Sequence, residues 1–279
     1  MHQEGAFLPF CLAALPGAHR GAYDPVWLAQ FMLFTVCRKF LQLESLMSRA
    51  WMKTVGVAFV AALPMLASAQ LTANVSLTSN YKFRGQDQDA SRSKAVKPAL
   101  QGGFDYSFGE SGWYVGNWNS SVDWVPGNSL ESDFYGGYKF AAGGVNWDLG
   151  ALTYVYPGGS VANTTELYAG AGFGPLTAKY SHTVSKKYFG FVGGRNTGYF
   201  NVAFAQEVAP KVTFKAAVGY TRFSSDIDGV PNYVDYSVGG AYDFGDGLSL
   251  GAALVGANKK NFFGDVNKNR FVVTLTKAL

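Results

Sequence analysis

The chain has 279 residues, of which 16% are aromatic, 34 are glycine and only 15% are charged, where ordinary soluble domains carry about 25% charged residues. That composition excludes a disordered chain and a charged coiled coil. A net charge of +4 without a long Lys/Arg run excludes tracking of a nucleic-acid backbone. A mean hydropathy of +0.03, with no long apolar stretch late in the chain, argues against a bundle of membrane helices.

Residues 1–46 have neither an organised period nor a targeting pattern, and read as a leader ahead of the true start at Met47 or Met52. The stretch MKTVGVAFVAALPMLASAQ then joins basic Lys53, with Arg49 upstream, to an apolar run from Val55 to Leu66 and the small residues Ala67-Ser68-Ala69. This predicts a signal peptide over 47–69, cleaved after Ala69. Both cysteines, Cys11 and Cys37, precede that point, so residues 70–279 hold no disulfide framework or thiol chemistry.

From Leu71 onward the hydrophobic period is two. In LTANVSLTSNYKFR, Leu71, Ala73, Val75, Leu77, Tyr81 and Phe83 share one face, a pattern that a helix would scatter. Turn signals divide the rest into twelve predicted strands: 71–84, 98–108, 113–124, 131–140, 145–156, 164–173, 176–185, 198–208, 212–223, 233–244, 248–258 and 270–279. The connections alternate strictly. GESG, AAGG, GP, APK and GDG are tight turns, and between them come GQDQDASRSKAVK, VPGNSL, PGGSVAN, KKYFGFVGGRNTG, SSDIDGVPN and KKNFFGDVNKN. Short turns on one side, long loops on the other and an even strand number predict an all-β fold, an antiparallel transmembrane up-and-down β-barrel in the outer membrane with both termini periplasmic. Phe108, Tyr114, Phe140, Trp147, Phe173 and Phe244 beside the short turns, and Tyr81, Phe83, Trp124, Phe134, Tyr220 and Tyr236 beside the long loops, are expected to form two interfacial girdles.

The segments NVSLTSNYKFRGQDQ, PALQGGFDYSFGESGWYVGNWNSSVDW, ESDFYGGYKF and WDLGALTYVYPG resemble the TorF-like, Gcw-type porin family of proteobacteria, catalogued as conserved hypothetical outer-membrane proteins. The resemblance covers the chain after the leader and implies an outer-membrane β-barrel with a channel role and no assigned substrate. It also implies dependence on the barrel-assembly machinery, which typically reads a terminal aromatic; here the last strand ends Thr276-Lys277-Ala278-Leu279, with Leu279 in parity with Phe271, Val273 and Leu275.

Chemistry is sparse along the strands. His182 is the one histidine after residue 69, and the position two residues on is Val184 rather than the serine that a lipid-modifying barrel hydrolase needs. Ser181 and Ser185 fall on the opposite face, so no catalytic residue is nominated, and metal and cofactor sites are not expected. The GAGFG run from Gly170 to Gly174 lies within a strand and its turn, not before a helix, so it is not a dinucleotide loop.

By parity the inner face carries Lys82, Arg84, Lys139, Lys179, Lys215 and Arg270 against Asp105, Asp123, Asp133, Asp148, Glu166, Glu207, Asp235 and Asp243. These are the candidate lumen-lining residues, with Lys139 expected opposite Asn146 and diagonal to Asp148. The loop KKYFGFVGGRNTG, with Phe189, Phe191 and Arg195, is the expected constriction, and its Lys186, Lys187 and Arg195 are candidates for lipopolysaccharide phosphates. The favoured reading is a channel for ions or small polar solutes. The alternatives are a plugged structural or surface-interaction barrel and, behind it, an outer-membrane enzyme. The expected partners are outer-membrane lipid and small solutes, not nucleic acid.

Overall fold

In the computed structural model, the described residues are 70–90 and 96–279; the predicted leader (1–46) and signal peptide (47–69) lie outside them. The wall is built of β1 (Gln70–Thr78), β2 (Ala99–Ser107), β3 (Trp113–Ser121), β4 (Leu130–Ala142), β5 (Val145–Val155) and β6 (Thr164–Phe173). It continues through β7 (Leu176–Thr183), β8 (Gly198–Ala209), β9 (Val212–Arg222), β10 (Tyr233–Gly245), β11 (Leu248–Ala257) and β12 (Arg270–Ala278). Each strand pairs antiparallel with its sequence neighbours, and β1 pairs β12 to close a twelve-stranded barrel. Closure leaves no sheet edge, so the wall pairs its backbone groups strand to strand without water, apart from bulges near Glu207–Ala209 and Asp243–Gly245.

The register places the dyad unambiguously. Leu77 on β1 lies opposite Leu275 on β12 and Leu100 on β2, and all three side chains are exposed on the exterior. Phe104, Val115, Phe134, Leu167, Phe200, Val218, Val238, Leu254 and Phe271 continue that exposed apolar belt around the wall. Opposite-parity residues turn inward, where Ser120, Glu131, Tyr154, Glu166, Thr183, Thr221 and Ala257 are each no more than 3% exposed near the long-loop ends of their strands. At the short-turn end, inward Lys139, Glu207, Lys215 and Asp243 are exposed. The interior is therefore sealed towards the long loops and open to water towards the short turns.

The tight turns follow from backbone conformation. Ala142 pairs directly with Val145 across a two-residue turn in which Gly143 and Gly144 have φ of +62° and +75°, the left-handed geometry that suits a right-twisted hairpin. That register corrects one expectation: Lys139 lies directly opposite Asp148, and Ala141 opposite Asn146.

The first strand also differs. It ends at Thr78 instead of running to residue 84, because the chain turns into the barrel and forms a small hairpin, Lys82–Phe83 paired with Gln86–Asp87. Tyr81 and Phe83 keep their alternation but spend it on interior partners, with ring centroids 5.4 Å from Trp118 and Tyr154 respectively. They are therefore not girdle residues. Nor is Trp124, which packs in the same interior cluster, nor Tyr114, which is 8% exposed and points inward. Phe134 and Tyr220 at one end, and Phe140, Phe173 and Phe244 at the other, do lie on the exterior.

Because the exterior belt has only apolar side chains to offer at Val218, Val218→Arg is expected to destabilise the bilayer-inserted barrel by about 2–4 kcal/mol. The inward neighbour change Ala217→Ser should stay within about 0.5 kcal/mol. Denaturant titration in lipid vesicles measures both.

Candidate functional site

The barrel interior is organised by the hairpin of residues 82–87. Arg84 and Gly85 turn it with φ of +48° and +74°. A Cβ on Gly85 would lie 2.6 Å from both the Asp235 Cβ and the Gly256 carbonyl oxygen, so the hairpin tip presses its bare backbone against β10 and β11. From that wall Arg84 reaches across to β6, where its guanidinium donates to Glu166 at 2.6 and 3.0 Å and to the Tyr188 hydroxyl at 3.0 Å. It also lies over the Tyr199 ring, 4.2 Å from the centroid. The side chain is thus a chord spanning the interior, and both ends of its ion pair are buried.

The hairpin's other anchor is Asp87, which faces three cations: Arg270 at 2.8 Å, Lys82 at 3.2 Å and Lys97 at 3.9 Å. Lys82 Nζ also donates to the carbonyls of Gly85 and Val266, and Gln86 Nε2 donates to Asn267 Oδ1. These contacts tie the hairpin to β12 and to the loop before it. Burial pushes the Lys82 ammonium down from 10.5 to about 8; Asp87 opposes the shift, while Arg270 and Lys97 add to it.

The expected constricting loop contributes as a second layer. Its Tyr188 and Phe189 enter the interior, with Phe189 packed on Phe83 and Tyr154, but its Arg195 is exposed. The segment that crosses the interior is the earlier hairpin. Sequence reasoning missed it because apolar alternation resumes at Tyr81 and Phe83 after one polar step at Ser79; Ser79-Asn80, where the wall strand ends, and Arg84-Gly85 followed by polar residues were the available signals.

Below this level the wall carries a repeated joint between tyrosine and glycine. On one row Asp105, Gly116 and Tyr135 sit on adjacent strands β2, β3 and β4. The Tyr135 ring lies flat over Gly116, where a Cβ would come within 2.3 Å of it, and its hydroxyl donates to Asp105 at 2.7 Å. Tyr114 crosses Gly137 in the same way and donates to Asp148 at 2.6 Å, and Tyr199 crosses Gly219 to donate to Asp235 at 3.1 Å. Tyr168 crosses Gly150 and meets the Tyr114 hydroxyl. Such ring-on-glycine packing covers the bare strand and pins its register.

Basic residues use the ring faces. Lys139 Nζ stands 4.4 Å from the Tyr114 centroid and Lys179 Nζ 3.7 Å from that of Tyr168, within cation–π range. The expected Lys139–Asp148 contact is thus mediated by Tyr114, with no direct ion pair between them. Of the other nominated residues, Lys82, Arg84, Asp105, Asp133, Glu166, Lys215, Asp235 and Asp243 all lie on the hairpin or the inward face. Asp123 does not. It is exposed beyond the end of β3, in a loop bridged to Asp89, because the inward positions of β3 are Tyr114, Gly116, Trp118 and Ser120, the reverse of the expected parity, and the strand stops at Ser121. His182 faces outward between Tyr180 and Asn196, 3.1 and 3.3 Å away, while Ser181 is buried inside. A serine–histidine pair cannot assemble across the wall.

Residues 65–279 match the family described as "Bacterial protein of unknown function (Gcw_chp)", and the chain belongs to that family. No curated protein matches it in sequence. Among solved structures, the KdgM porin aligns with a TM-score of 0.50 at 8% identity, covering 74% of this chain and 98% of that porin. The NanC porin aligns at 0.46 and 10% identity, covering 75% and 98%, and OprD of Pseudomonas aeruginosa at 0.36 and 14%, covering 76% and 67%. At such identity the likeness to KdgM is one of fold.

The position of Lys82 sets a pH dependence. A lysine that titrates near 8 when docked and near 10.5 when free releases its proton on docking between those values, so docking strengthens as pH rises through that window and is indifferent to pH below it. Thermal stability of the barrel in detergent should therefore rise from about pH 8 towards pH 10, and Lys82→Met should remove that slope.

Proposed function

We propose that this member of the Gcw_chp family is an outer-membrane channel for passive diffusion of ions or small polar solutes, not an enzyme. The observation that carries the reading is a closed barrel with an apolar exterior and an ionic interior. Twelve strands give a bore wider than that of eight-stranded barrels, which side chains just fill, and narrower than that of sixteen-stranded porins. Lys139, Asp148, Lys179, Lys215 and Asp243 serve as the water-exposed part of the lumen lining, and the Arg84 chord as its constriction. The resemblance to TorF-like porins supports the same role. In this reading the short turns and both barrel termini are periplasmic, the signal peptide is removed after Ala69, and Lys186, Lys187 and Arg195 approach lipopolysaccharide phosphates.

A second reading, the plugged structural barrel, draws support from the sealed ring of inward residues at the long-loop end. Conductance in planar bilayers separates the two. Removing one partner of a buried pair is strongly destabilising to the docked arrangement, so Arg84→Ala should undock the hairpin and raise single-channel conductance severalfold over the wild type. Silence of both proteins, with folding intact by heat-modifiable gel mobility, would establish the plug. Orientation is tested separately: an epitope inserted at Gly229 should label intact cells and one at Gly143 should not, and the opposite pattern inverts the barrel.

A further inference from the structure

Two inward carboxylates at the long-loop end lack a counter-ion. Glu131 and Asp133 occupy successive inward positions on β4, opposite Ser120 and Trp118 of β3, and are 1% and 7% exposed. Tyr81 donates to Glu131 Oε1 at 3.3 Å, but Glu131 Oε2 and Asp133 Oδ1 have no hydrogen-bond partner. No ion pair among the described residues involves either side chain. Arg84, the cation bound to the neighbouring wall, is committed to Glu166, and Lys82, Lys97 and Arg270 are gathered on Asp87. Burying two carboxylates without a cation is expensive. Their oxygens therefore form a site that is electrostatically incomplete.

The surroundings specify what completes it. Tyr81 packs edge-on against Trp118 with centroids 5.4 Å apart, and Trp124 packs against Tyr156 at 5.2 Å; the Tyr156 hydroxyl is directed towards Glu131. Aromatic rings beside carboxylates attract a cation through both the charge and the ring quadrupole. A hard divalent ion needs six or more oxygens, and the described residues contain no group of three or more His, Cys, Asp or Glu side chains placed to hold a metal. We infer that Glu131 and Asp133, framed by Tyr81, Trp118, Trp124 and Tyr156, bind a small organic cation, an alkylammonium or guanidinium group. The two free oxygens are closed off from water, so a cation reaches them only when the packing around them opens. This deepens the channel reading by naming its solute class, and rests on that reading only for the transport step.

The test uses the folded barrel in detergent micelles, titrated with ethylammonium and guanidinium chloride against potassium chloride at constant ionic strength. Intrinsic tryptophan fluorescence and the thermal unfolding temperature are the readouts. A saturable response to either organic cation and none to potassium is expected, with affinity reduced about tenfold or more in Asp133→Asn and in Glu131→Gln. Glu110→Gln, on the exposed short turn between β2 and β3 at the far end of the barrel, should bind as wild type does. If Asp133→Asn fails the heat-modifiable mobility check, Glu131→Gln alone carries the comparison. No saturable response, or equal binding by wild type and both carboxylate variants, overturns the site and leaves protons as the neutralising species. Binding by a barrel that is silent in bilayers defeats the channel reading alone, while current without cation binding defeats this inference alone.

Discussion

The structure depends on how charge is housed inside a closed wall. A tyrosine laid across a bare glycine reaches a carboxylate on the far side, as Tyr135 does over Gly116 to Asp105. The glycine removes the side chain that would lift the ring, and the hydroxyl supplies a donor without introducing a second charge to desolvate. Lys139 and Lys179 then rest on the faces of Tyr114 and Tyr168, so acids and bases are coupled through aromatic rings. Direct ion pairing of the same residues would draw long side chains into the bore and hold them there.

The exceptions are the hairpin's own ion pairs, Arg84 with Glu166 and Asp87 with its three cations, and their position explains the need for them. The hairpin has no strand of the barrel sheet to pair with, so its own polar groups and its side chains must hold it. Gly85 sets its tip against one wall, Arg84 ties it to the opposite wall, and Asp87 ties its return arm to Arg270. Buried charge pairs of this kind give position more than net stability. They also divide the interior electrically, with three cations about Asp87 on one side and uncompensated Glu131 and Asp133 on the other.

The exterior answers a simpler constraint. Hydrocarbon solvates no backbone amide, which demands closure, and it accepts apolar side chains at every outward position. Leu77, Phe104, Val218 and Leu254 satisfy that demand without needing any particular neighbour. Tyr114, Tyr135 and Tyr199 in the interior have no such freedom, since each needs its own glycine and its own acceptor.

Strand count, the alternation of short and long connections, and inward and outward parity on every wall strand except β3 were legible in the sequence. Parity follows from covalent geometry, since successive side chains on an extended chain point to opposite faces, and turns such as Gly143-Gly144 are local conformational preferences. Only tertiary structure decided which alternating segment leaves the wall. Residues 81–83 have the pattern of a strand, yet they serve the interior because Gly85 fits against β10 and β11 and because Glu166, 82 positions later than Arg84, awaits a cation. It likewise decided that Tyr114 faces inward, that Asp123 lies outside the wall and that Lys139 meets a ring before an acid. Such outcomes turn on register and on contacts between strands remote in sequence, and a period of two, identical for every strand, carries no record of which strands will meet.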